Sequence, residues 1–316
     1  MNAELPRIAF LGIGRMGLPM ARRLCQAGFA LHAWNRTPAK AQPLSADGAQ
    51  LHDSAAQAVA QADIVISMLE NGPVVSQVLF GQAPNSLGCA AALRPGALFI
   101  DMASIRPGEA REHAQRLGEQ SIGHLDAPVS GGTVGAEQGA LAIMVGGTAQ
   151  DFALAAPVFK HLGRATHVGP SGSGQLAKLA NQMIVGITIG AVAEALLLCA
   201  KGGADMAQVR QAISGGFADS RILQLHGQRM VEGDFAPRAR MAVQLKDLRN
   251  ALSTAHDIGF DAPVTQLLEQ LYAQAIEHGL SELDHSGLFV ALAQRNGMWP
   301  HQAPGPAPGP NAAPLT

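Results

Sequence analysis

Charged residues are sparse in this chain, and the basic ones among them are not clustered. Lys and Arg number 22 against 24 Asp and Glu, which gives a net charge of −2 over 316 residues. A nucleic-acid groove needs a positive stripe that displaces counterions, so the composition argues against such a partner. The eleven histidines are scattered, without the Cys/His spacing typical of zinc sites. We therefore expect neither a nucleic-acid partner nor a metal site.

Cysteine is also scarce. Cys25, Cys89 and Cys199 cannot form a disulfide framework, and none of them lies in a Cys-x-x-Cys pair. This usage is typical of a reducing compartment. A secretory signal begins with a basic segment followed by an apolar core, and the first residues of this sequence do not have that pattern. These features together predict a cytoplasmic protein.

One stretch has almost no charge. After Lys178 come 15 uncharged residues. A membrane span needs about 20 predominantly apolar residues, and Asn181 and Gln182 interrupt this stretch. A helix that is apolar on nearly all sides usually lies deep inside a large or oligomeric protein. We therefore expect a helix buried in protein, no membrane association, and a homodimer or homotetramer built through the helical half. Gly186 and Gly190 would let another backbone approach this helix closely.

The first half of the chain alternates short β-like segments with Ala-rich helical segments. The β-like segments are rich in Val, Ile, Leu and Phe and cover residues 7–12, 30–34, 63–69, 97–102, 123–128 and 141–147. Helical spacing occupies residues 15–27, 54–61 and 107–120. This alternation predicts an α/β Rossmann-type domain over residues 1–168, with a mainly parallel, doubly wound sheet.

The second half is helical. Helical segments separated by Gly- or Pro-containing breaks cover residues 174–202, 205–214, 220–231, 242–258, 263–278 and 284–296. We therefore expect an all-helical substrate and oligomerisation domain over residues 169–298, joined to the first domain by the long helix. Residues 299–316 are rich in Pro and Gly and predict a flexible tail.

A glycine motif opens the first domain. Gly12, Gly14 and Gly17 have the G-x-G-x-x-G spacing between a β-like and a helical segment. The first glycine allows the tight turn, the second lets the backbone approach a pyrophosphate, and the third lets helix and strand pack closely. Free N–H groups and the helix dipole would then favour the phosphates. The predicted cofactor loop consists of Gly12, Ile13, Gly14, Arg15, Met16 and Gly17.

The end of the second β-like segment bears on the cofactor type. An NAD-specific fold normally has an acid there for the ribose hydroxyls, and this chain has Asn35, Arg36 and Thr37. A guanidinium can bind a 2′-phosphate that a carboxylate would repel. NADP(H) is therefore favoured and NAD(H) remains possible. The alternative is that Arg36 is an ordinary exposed loop arginine.

Two further motifs are ambiguous by themselves. Ser130, Gly131 and Gly132 could form a nest of N–H groups for a carboxylate, or a simple glycine turn, and spacing does not choose between these. Lys246 and Asp247, in "QLKDLRNAL", have the pattern of an ordinary charged helix face.

Lys178 is the strongest catalytic candidate. On a helix, Asn181 and Gln182 fall on the same face as Lys178, at i+3 and i+4. A buried ammonium is costly unless it is paired or has a role. Near a nicotinamide, such a lysine can give its proton to a carbonyl oxygen as hydride reaches the carbon. The alternative is a lysine whose stem is buried and whose amine reaches solvent, and we favour the catalytic interpretation.

Four separated motifs together resemble the β-hydroxyacid dehydrogenase family. They occur in the family's order as "FLGIGRMGLPMARRL", "DAPVSGG", "GSGQLAKLANQ" and "KDL", and the similarity covers residues 7–297. The segments "KLANQMIVG", "GGFADSRIL" and "DHSGL" are most similar to the tartronate semialdehyde reductase branch. The resemblance implies an NAD(P)-dependent enzyme that interconverts short hydroxyacids and semialdehyde acids. Other branches act on 3-hydroxyisobutyrate, glyoxylate or succinic semialdehyde.

The resemblance also implies roles for individual residues. Lys178 is the general acid and base, and Asn181 orients the substrate. A carboxylate is held by Ser130, Gly131 and Gly132, while Lys246 closes over cofactor and substrate beside Asp247. Three more residues contact the cofactor by analogy: Met68, Leu69 and Ser104. In the family, the site lies in the cleft between the domains.

This chain departs from the family pattern before the "KDL" motif. Arg238 replaces a glycine, Ala239 a phenylalanine and Gln244 a histidine. In the family that phenylalanine helps wall the substrate pocket, so Ala239 leaves room for a bulkier hydroxyacid. Two other classes remain as alternatives: an imine reductase and a non-catalytic dinucleotide-binding module. Relatives of both kinds usually lack the lysine that this chain keeps at position 178.

Overall fold

The computed structural model describes residues 5–81 and 87–298 of the chain. The tail predicted over residues 299–316 lies outside these residues. The chain separates into two compact units, which divide inside one long helix after Ala180.

The first unit contains a sheet of nine strands. In chain order these are β1 (Ile8–Leu11), β2 (Leu31–Trp34), β3 (Gln50–Leu51), β4 (Ile64–Ser67), β5 (Leu98–Asp101), β6 (Gly123–Asp126), β7 (Val129–Ser130), β8 (Leu141–Gly146) and β9 (Gly163–Gly169). Their spatial order is β3-β2-β1-β4-β5-β6-β8-β7, and β9 pairs with β8. The six strands from β3 to β6 are parallel neighbours, whereas β8 runs antiparallel to β6 and β7.

This order confirms the predicted Rossmann-type sheet. Strand order 3-2-1-4-5-6 reverses between β1 and β4, and ligands in such sheets bind beyond the carboxyl ends of the strands at that reversal. β1, β4 and β5 are buried along their whole length, as expected of parallel strands covered on both faces. Within the described residues, seven α-helices lie in or begin in this unit: α1 (Gly17–Gln26), α2 (Ala55–Val59), α3 (Gly72–Phe80), α4 (Pro107–Gly118), α5 (Gly132–Gln138), α6 (Ala149–Leu162) and α7 (Ser173–Lys201).

The second unit is helical, as predicted. In the part of it that the structure describes, up to residue 298, it contains the rest of α7 and five further α-helices: α8 (Met206–Ile213), α9 (Arg221–Glu232), α10 (Met241–Asp257), α11 (Pro263–Ala275) and α12 (Leu288–Arg295). Its core is apolar and includes the fully buried Tyr272. The two glycines of α7 make room for side chains of neighbouring helices rather than for a backbone. A Cβ on Gly186 would lie 2.7 Å from the Gln244 amide, and one on Gly190 would lie 2.6 Å from Leu268.

α7 is long and apolar enough to cross a membrane by length and composition alone. In its most apolar window, 39% of the residues are buried within the chain. Apolar side chains at Ile184 and Leu198 are 65% and 74% exposed. The helix therefore leaves part of its apolar surface uncovered by this chain.

Candidate functional site

The glycine motif forms the turn between β1 and α1. Gly12 has φ +101°, a conformation that favours glycine. A Cβ on Gly17 would overlap the Gly12 carbonyl oxygen, so strand and helix meet at backbone distance there. A Cβ on Gly14 would meet no described atom within 4 Å. This combination, with a tight turn, close packing and one open glycine, fits the cradle that a dinucleotide pyrophosphate requires.

Asn35, at the end of β2, holds this turn in place. Its Oδ1 accepts a hydrogen bond from the Ile13 N–H at 2.9 Å, and its Nδ2 donates to the Thr37 carbonyl at 2.8 Å. The neighbouring Arg36 is exposed and follows the same strand end. Asn35 is therefore a structural link between the cofactor loop and the β2 loop, and Arg36 is the cation available to a ligand there.

Met68 and Leu69 follow β4 at the same edge of the sheet. The Met68 N–H donates to the Leu11 carbonyl at 2.8 Å. A Cβ on Gly12 would overlap the Met68 carbonyl and touch the Leu69 side chain. Both residues thus pack directly against the glycine turn.

Ser104 lies in the loop after β5, and a buried glutamine of α7 anchors the residues on both sides of it. Gln175 Oε1 accepts from the Ile105 N–H at 3.1 Å, and Gln175 Nε2 donates to the Ala103 carbonyl at 2.8 Å. Gln175 is fully buried. The position of the half-buried Ser104 is therefore tied to the beginning of α7.

Asp101, the last residue of β5, fixes the start of the same loop. Its Oδ1 accepts from Ser67 Oγ at 2.7 Å and from the Ala103 N–H at 3.0 Å. Burial raises the pKa of Asp101 to about 7, and these two hydrogen bonds oppose that shift. The carboxyl group consequently titrates near neutrality while it shapes the loop.

The "DAPVSGG" motif holds the N-terminus of α7 through its aspartate. Asp126 Oδ1 accepts from the Gly172 N–H at 2.7 Å, and Oδ2 accepts from the Gln175 N–H at 2.9 Å. Burial raises the pKa of Asp126, against the lowering effect of these backbone donors. A Cβ on Gly174 would overlap the carbonyls of Asp126 and Met144, so α7 begins in backbone contact with β6 and β8.

Lys178 lies one helical turn after Gln175. Only 9% of the residue is exposed, so the side chain is largely buried. The helix turn that precedes it is fixed by Asp126 and Gln175, both buried. Burial of a cationic side chain is costly unless the charge is paired or has a role.

The glycines after β7 adopt conformations that other residues rarely reach. Gly131 has φ +139° and Gly132 has φ +63°. Both are exposed, and a Cβ on Gly132 would meet no described atom within 4 Å. Ser130, the last residue of β7, is half-buried beside them. The backbone here is open to a ligand, which is compatible with either sequence interpretation.

The second unit assembles the other predicted residues around one buried carboxylate. Asp247 is 2% exposed, accepts from Gln182 Nε2 at 2.6 Å, and pairs with Lys246 Nζ at 3.1 Å. Asn181 Nδ2 donates to Gln182 Oε1 at 2.8 Å. Gln182 therefore joins Asn181 of α7 to the "KDL" residues of α10.

Three organising side chains were not among the predicted site residues. Asp126 and Gln175 lie inside motifs that were recognised, and Gln182 was placed only on the helix face of Lys178. A polar residue inside an otherwise apolar motif was the available signal. Their partners are backbone groups or side chains distant in sequence, so the contacts themselves could not be predicted.

Two family models match the chain in succession. Residues 7–169 match the NAD-binding domain of 6-phosphogluconate dehydrogenase, and residues 172–292 match the NAD-binding model of NADP-dependent 3-hydroxyisobutyrate dehydrogenase. The chain is 43% identical to 2-hydroxy-3-oxopropionate reductase of Escherichia coli (strain K12), over 90% of this chain and 97% of that one. It is 35% identical to 3-hydroxyisobutyrate dehydrogenase of Pseudomonas aeruginosa, over 91% and 97%.

A solved structure shows the same architecture. The Mycobacterium tuberculosis 3-hydroxyisobutyrate dehydrogenase with L-serine superposes with a TM-score of 0.83 at 33% identity, over 92% of this chain and 99% of that one. Fold and motifs thus define an NAD(P)-dependent oxidoreductase that acts on CH–OH groups. The chain belongs to the β-hydroxyacid (3-hydroxyisobutyrate) dehydrogenase family.

Proposed function

We propose that this enzyme reduces a short semialdehyde acid, with tartronate semialdehyde (2-hydroxy-3-oxopropionate) as the first candidate, and that Lys178 is its general acid. The similarity to 2-hydroxy-3-oxopropionate reductase supports this substrate class. The observation that carries the proposal is the burial of Lys178, at 9% exposure, on a helix turn fixed by Asp126 and Gln175.

The proposed chemistry transfers one hydride and one proton. When bound, NADPH supplies the hydride to the carbonyl carbon. Lys178 Nζ gives a proton to the carbonyl oxygen as the C=O π bond breaks, so the aldehyde becomes a hydroxyl group. In the reverse direction, the neutral amine accepts the hydroxyl proton. A positioned general acid of this kind contributes about 10²- to 10⁴-fold to the rate.

The other predicted residues have supporting roles in this proposal. Ser130, Gly131 and Gly132 bind the substrate carboxylate with a hydroxyl and open backbone N–H groups. Asn181 orients the substrate, and Lys246 and Asp247 contact substrate and cofactor. Of these, Asn181 and Asp247 are both held by Gln182, which supports a shared role.

We assign the dinucleotide to the loop Gly12–Gly17, with Asn35, Thr37, Met68, Leu69 and Ser104 around it, and we propose a preference for NADP(H). Arg36 is the exposed cation at the end of β2, where a 2′-phosphate would lie. Replacing Arg36 by Ala removes a charge-assisted contact and should raise the KM for NADPH by about 10- to 100-fold, with little effect on NADH. An equal effect on both coenzymes would contradict this assignment.

The reaction is tested by a substrate panel. Initial rates with NADPH and NADH should be measured for tartronate semialdehyde, glyoxylate, succinic semialdehyde and methylmalonate semialdehyde. The proposal predicts the highest kcat/KM for tartronate semialdehyde and loss of activity in Lys178→Met. Tight NADPH binding without turnover of any of these compounds would favour a non-catalytic module, and turnover of cyclic imines alone would favour an imine reductase.

A second candidate is a bulkier substrate, such as 3-hydroxyisobutyrate or succinic semialdehyde. It is favoured by Ala239, which stands where the family has a phenylalanine. Restoring the aromatic ring with Ala239→Phe should reduce activity on the bulkier compounds more than on tartronate semialdehyde. An equal effect on the bulkier compounds and on tartronate semialdehyde would show that Ala239 does not determine substrate size.

We also propose the assembly and location of the protein. Residues 1–168 bind the dinucleotide, and residues 169–298 bind substrate and form a homodimer or homotetramer. The exposed apolar side chains of α7, including Ile184 and Leu198, support self-association. Light scattering after gel filtration should give a dimer or tetramer mass. Fractionation of cells should place the protein in the cytoplasm, and recovery with membranes would contradict that location.

A further inference from the structure

Two imidazoles and a carboxylate meet in the second unit, and none of the three belongs to a residue proposed for the reaction. His226 belongs to α9, whereas Asp284 and His285 precede α12. One ligand-capable atom from each of the three lies within 4.8 Å of the others. His226 and His285 are 59 positions apart in the chain, so sequence spacing alone could not reveal this group.

The two imidazoles are close enough to share an ion or a proton. Their Nε2 atoms lie 2.8 Å apart, and the rings are inclined at 70° with centroids 4.6 Å apart. A hydrogen bond accounts for this distance if one ring donates and the other accepts. Two imidazoles on one tetrahedral zinc ion, at bonds of about 2.0–2.1 Å, would place their nitrogens about 3.3–3.4 Å apart. The two rings would therefore have to separate by about 0.5 Å, replacing their hydrogen bond, to chelate an ion between them.

The carboxylate of Asp284 is held in a fixed position. It is fully buried, and its Oδ1 accepts from Arg229 Nη1 at 3.0 Å and from Ser286 Oγ at 2.7 Å. Its Oδ2 accepts from the Ala239 N–H at 3.2 Å, and the second lone pair of this oxygen is the position for a further ligand. Outer hydrogen bonds of this kind orient the carboxylate ligands of metal sites.

The backbone of His285 is fixed as well. Its N–H donates to the Ala239 carbonyl at 2.8 Å, and its carbonyl accepts from Tyr272 Oη at 3.0 Å. His285 Nδ1 lies 3.5 Å from Gln244 Oε1. Within residues 5–81 and 87–298, the buried Nδ1 of His226 has no hydrogen-bond partner. The Nε2 contact with His285 is therefore the hydrogen bond that orients the His226 ring among the described residues.

We propose that His226, His285 and Asp284 form a binding site for a divalent transition-metal ion such as Zn²⁺. Two imidazoles, one carboxylate and an open position are a ligand set that zinc accepts. Bound metal would connect α9 to the segment before α12 and stabilise the helical unit. The proposal does not depend on the proposed reaction, since none of the three ligands takes part in that reaction. Asp284 and His285 do bond to the backbone of Ala239, the residue considered above for substrate size, so the test measures metal binding and not activity.

Metal binding to the full-length chain tests the site directly. Protein stripped with a chelator is titrated with Zn²⁺ against a chromophoric competitor, and with Co²⁺ while its visible absorption is recorded. We expect one strongly bound ion per chain, Co²⁺ bands typical of nitrogen and oxygen ligands, and a higher melting temperature with Zn²⁺. His226→Leu and His285→Phe should each weaken Zn²⁺ binding by about 100-fold or more.

Two control variants distinguish this site from other histidines. His256→Gln removes an imidazole whose side chain is 92% exposed, and His52→Gln removes one member of a second close pair, His32 and His52, at 2.9 Å. Both controls should bind Zn²⁺ as the unaltered chain does, and far-UV circular dichroism verifies that every variant folds. No binding by the unaltered chain, or binding that only His52→Gln abolishes, would show that the His226–His285 contact is a hydrogen bond alone.

Discussion

Gln175 is the side chain whose loss should damage both the fold and the reaction. Its amide satisfies the Ile105 N–H at 3.1 Å and the Ala103 carbonyl at 2.8 Å, and it is fully buried. Gln175→Met keeps the length of the side chain and removes both hydrogen bonds. A buried backbone group left without a partner costs about 1–3 kcal/mol. We therefore expect the free energy of unfolding to fall by about 2–4 kcal/mol.

The same substitution should slow catalysis. The loop that carries Ser104 would lose its tie to α7, one turn before Lys178, and a misplacement of about 1 Å can reduce a rate by about 100-fold. We expect kcat to fall by about 10- to 100-fold, with a smaller change in coenzyme affinity.

Urea unfolding followed by circular dichroism measures the stability, and steady-state kinetics measures the rate. Gln115→Met, at an exposed position of α4, is the matched control and should change stability by less than about 0.5 kcal/mol. If Gln175→Met left both stability and kcat within the range of that control, Gln175 would not be a positioning residue.

Three further predictions concern other parts of the chain. His124 is fully buried, neither ring nitrogen has a partner in the described part of the chain, and burial lowers its pKa to about 3. Because folding favours the neutral ring, its contribution is complete above pH 6.5 and is lost as pH falls towards 3. Urea titrations should show that lowering the pH from 7.5 to 5.5 reduces the free energy of unfolding of the unaltered chain by about 1.4 kcal/mol more than that of His124→Leu. The same difference in stability between the two proteins at both pH values would contradict this assignment. Gly17→Ala places a methyl group against the Gly12 carbonyl. It should lower the free energy of unfolding by about 1–3 kcal/mol and weaken NADPH binding in a fluorescence titration. Unchanged binding would show that close packing at Gly17 does not shape the cofactor loop. Gln182→Leu removes the hydrogen bond that Gln182 donates to the buried Asp247. We expect kcat to fall while NADPH affinity is unchanged. An unaltered kcat would show that Gln182 has no part in the reaction.

The main architecture could be predicted from the sequence because its elements have strong local patterns. β1, β4 and β5 are mostly apolar strands, and α7 is a long apolar helix, so both types of element were recognised with ends within about two residues. The mainly parallel character of the sheet followed from the alternation of strands and helices.

The unpredicted elements lack such patterns. β3 and β7 have two residues each, too few to show alternation, and β9 is a mostly exposed strand between glycines. α3 and α5 begin at glycines, and α6 contains Pro157. Tertiary packing, which the sequence pattern does not display, stabilises these segments.

The site was predicted unevenly for the same reason. The glycine turn depends on local backbone geometry, so Gly12 has the positive φ and Gly17 the close backbone contact that the motif requires. The Gln175 bridge spans 70 residues to Ile105, and the Gln182–Asp247 contact spans 65. Contacts at that separation depend on the folded arrangement and have no spacing rule.

The central claim is that the Lys178 ammonium donates the proton in the reduction. Rapid mixing of NADPH-saturated enzyme with tartronate semialdehyde measures nicotinamide oxidation in a single turnover. In Lys178→Ala the rate should be about 10²- to 10⁴-fold lower with NADPH affinity retained, and small alkylammonium ions should restore part of it in proportion to their concentration. A single-turnover rate in Lys178→Ala within a few-fold of the unaltered enzyme would contradict the claim.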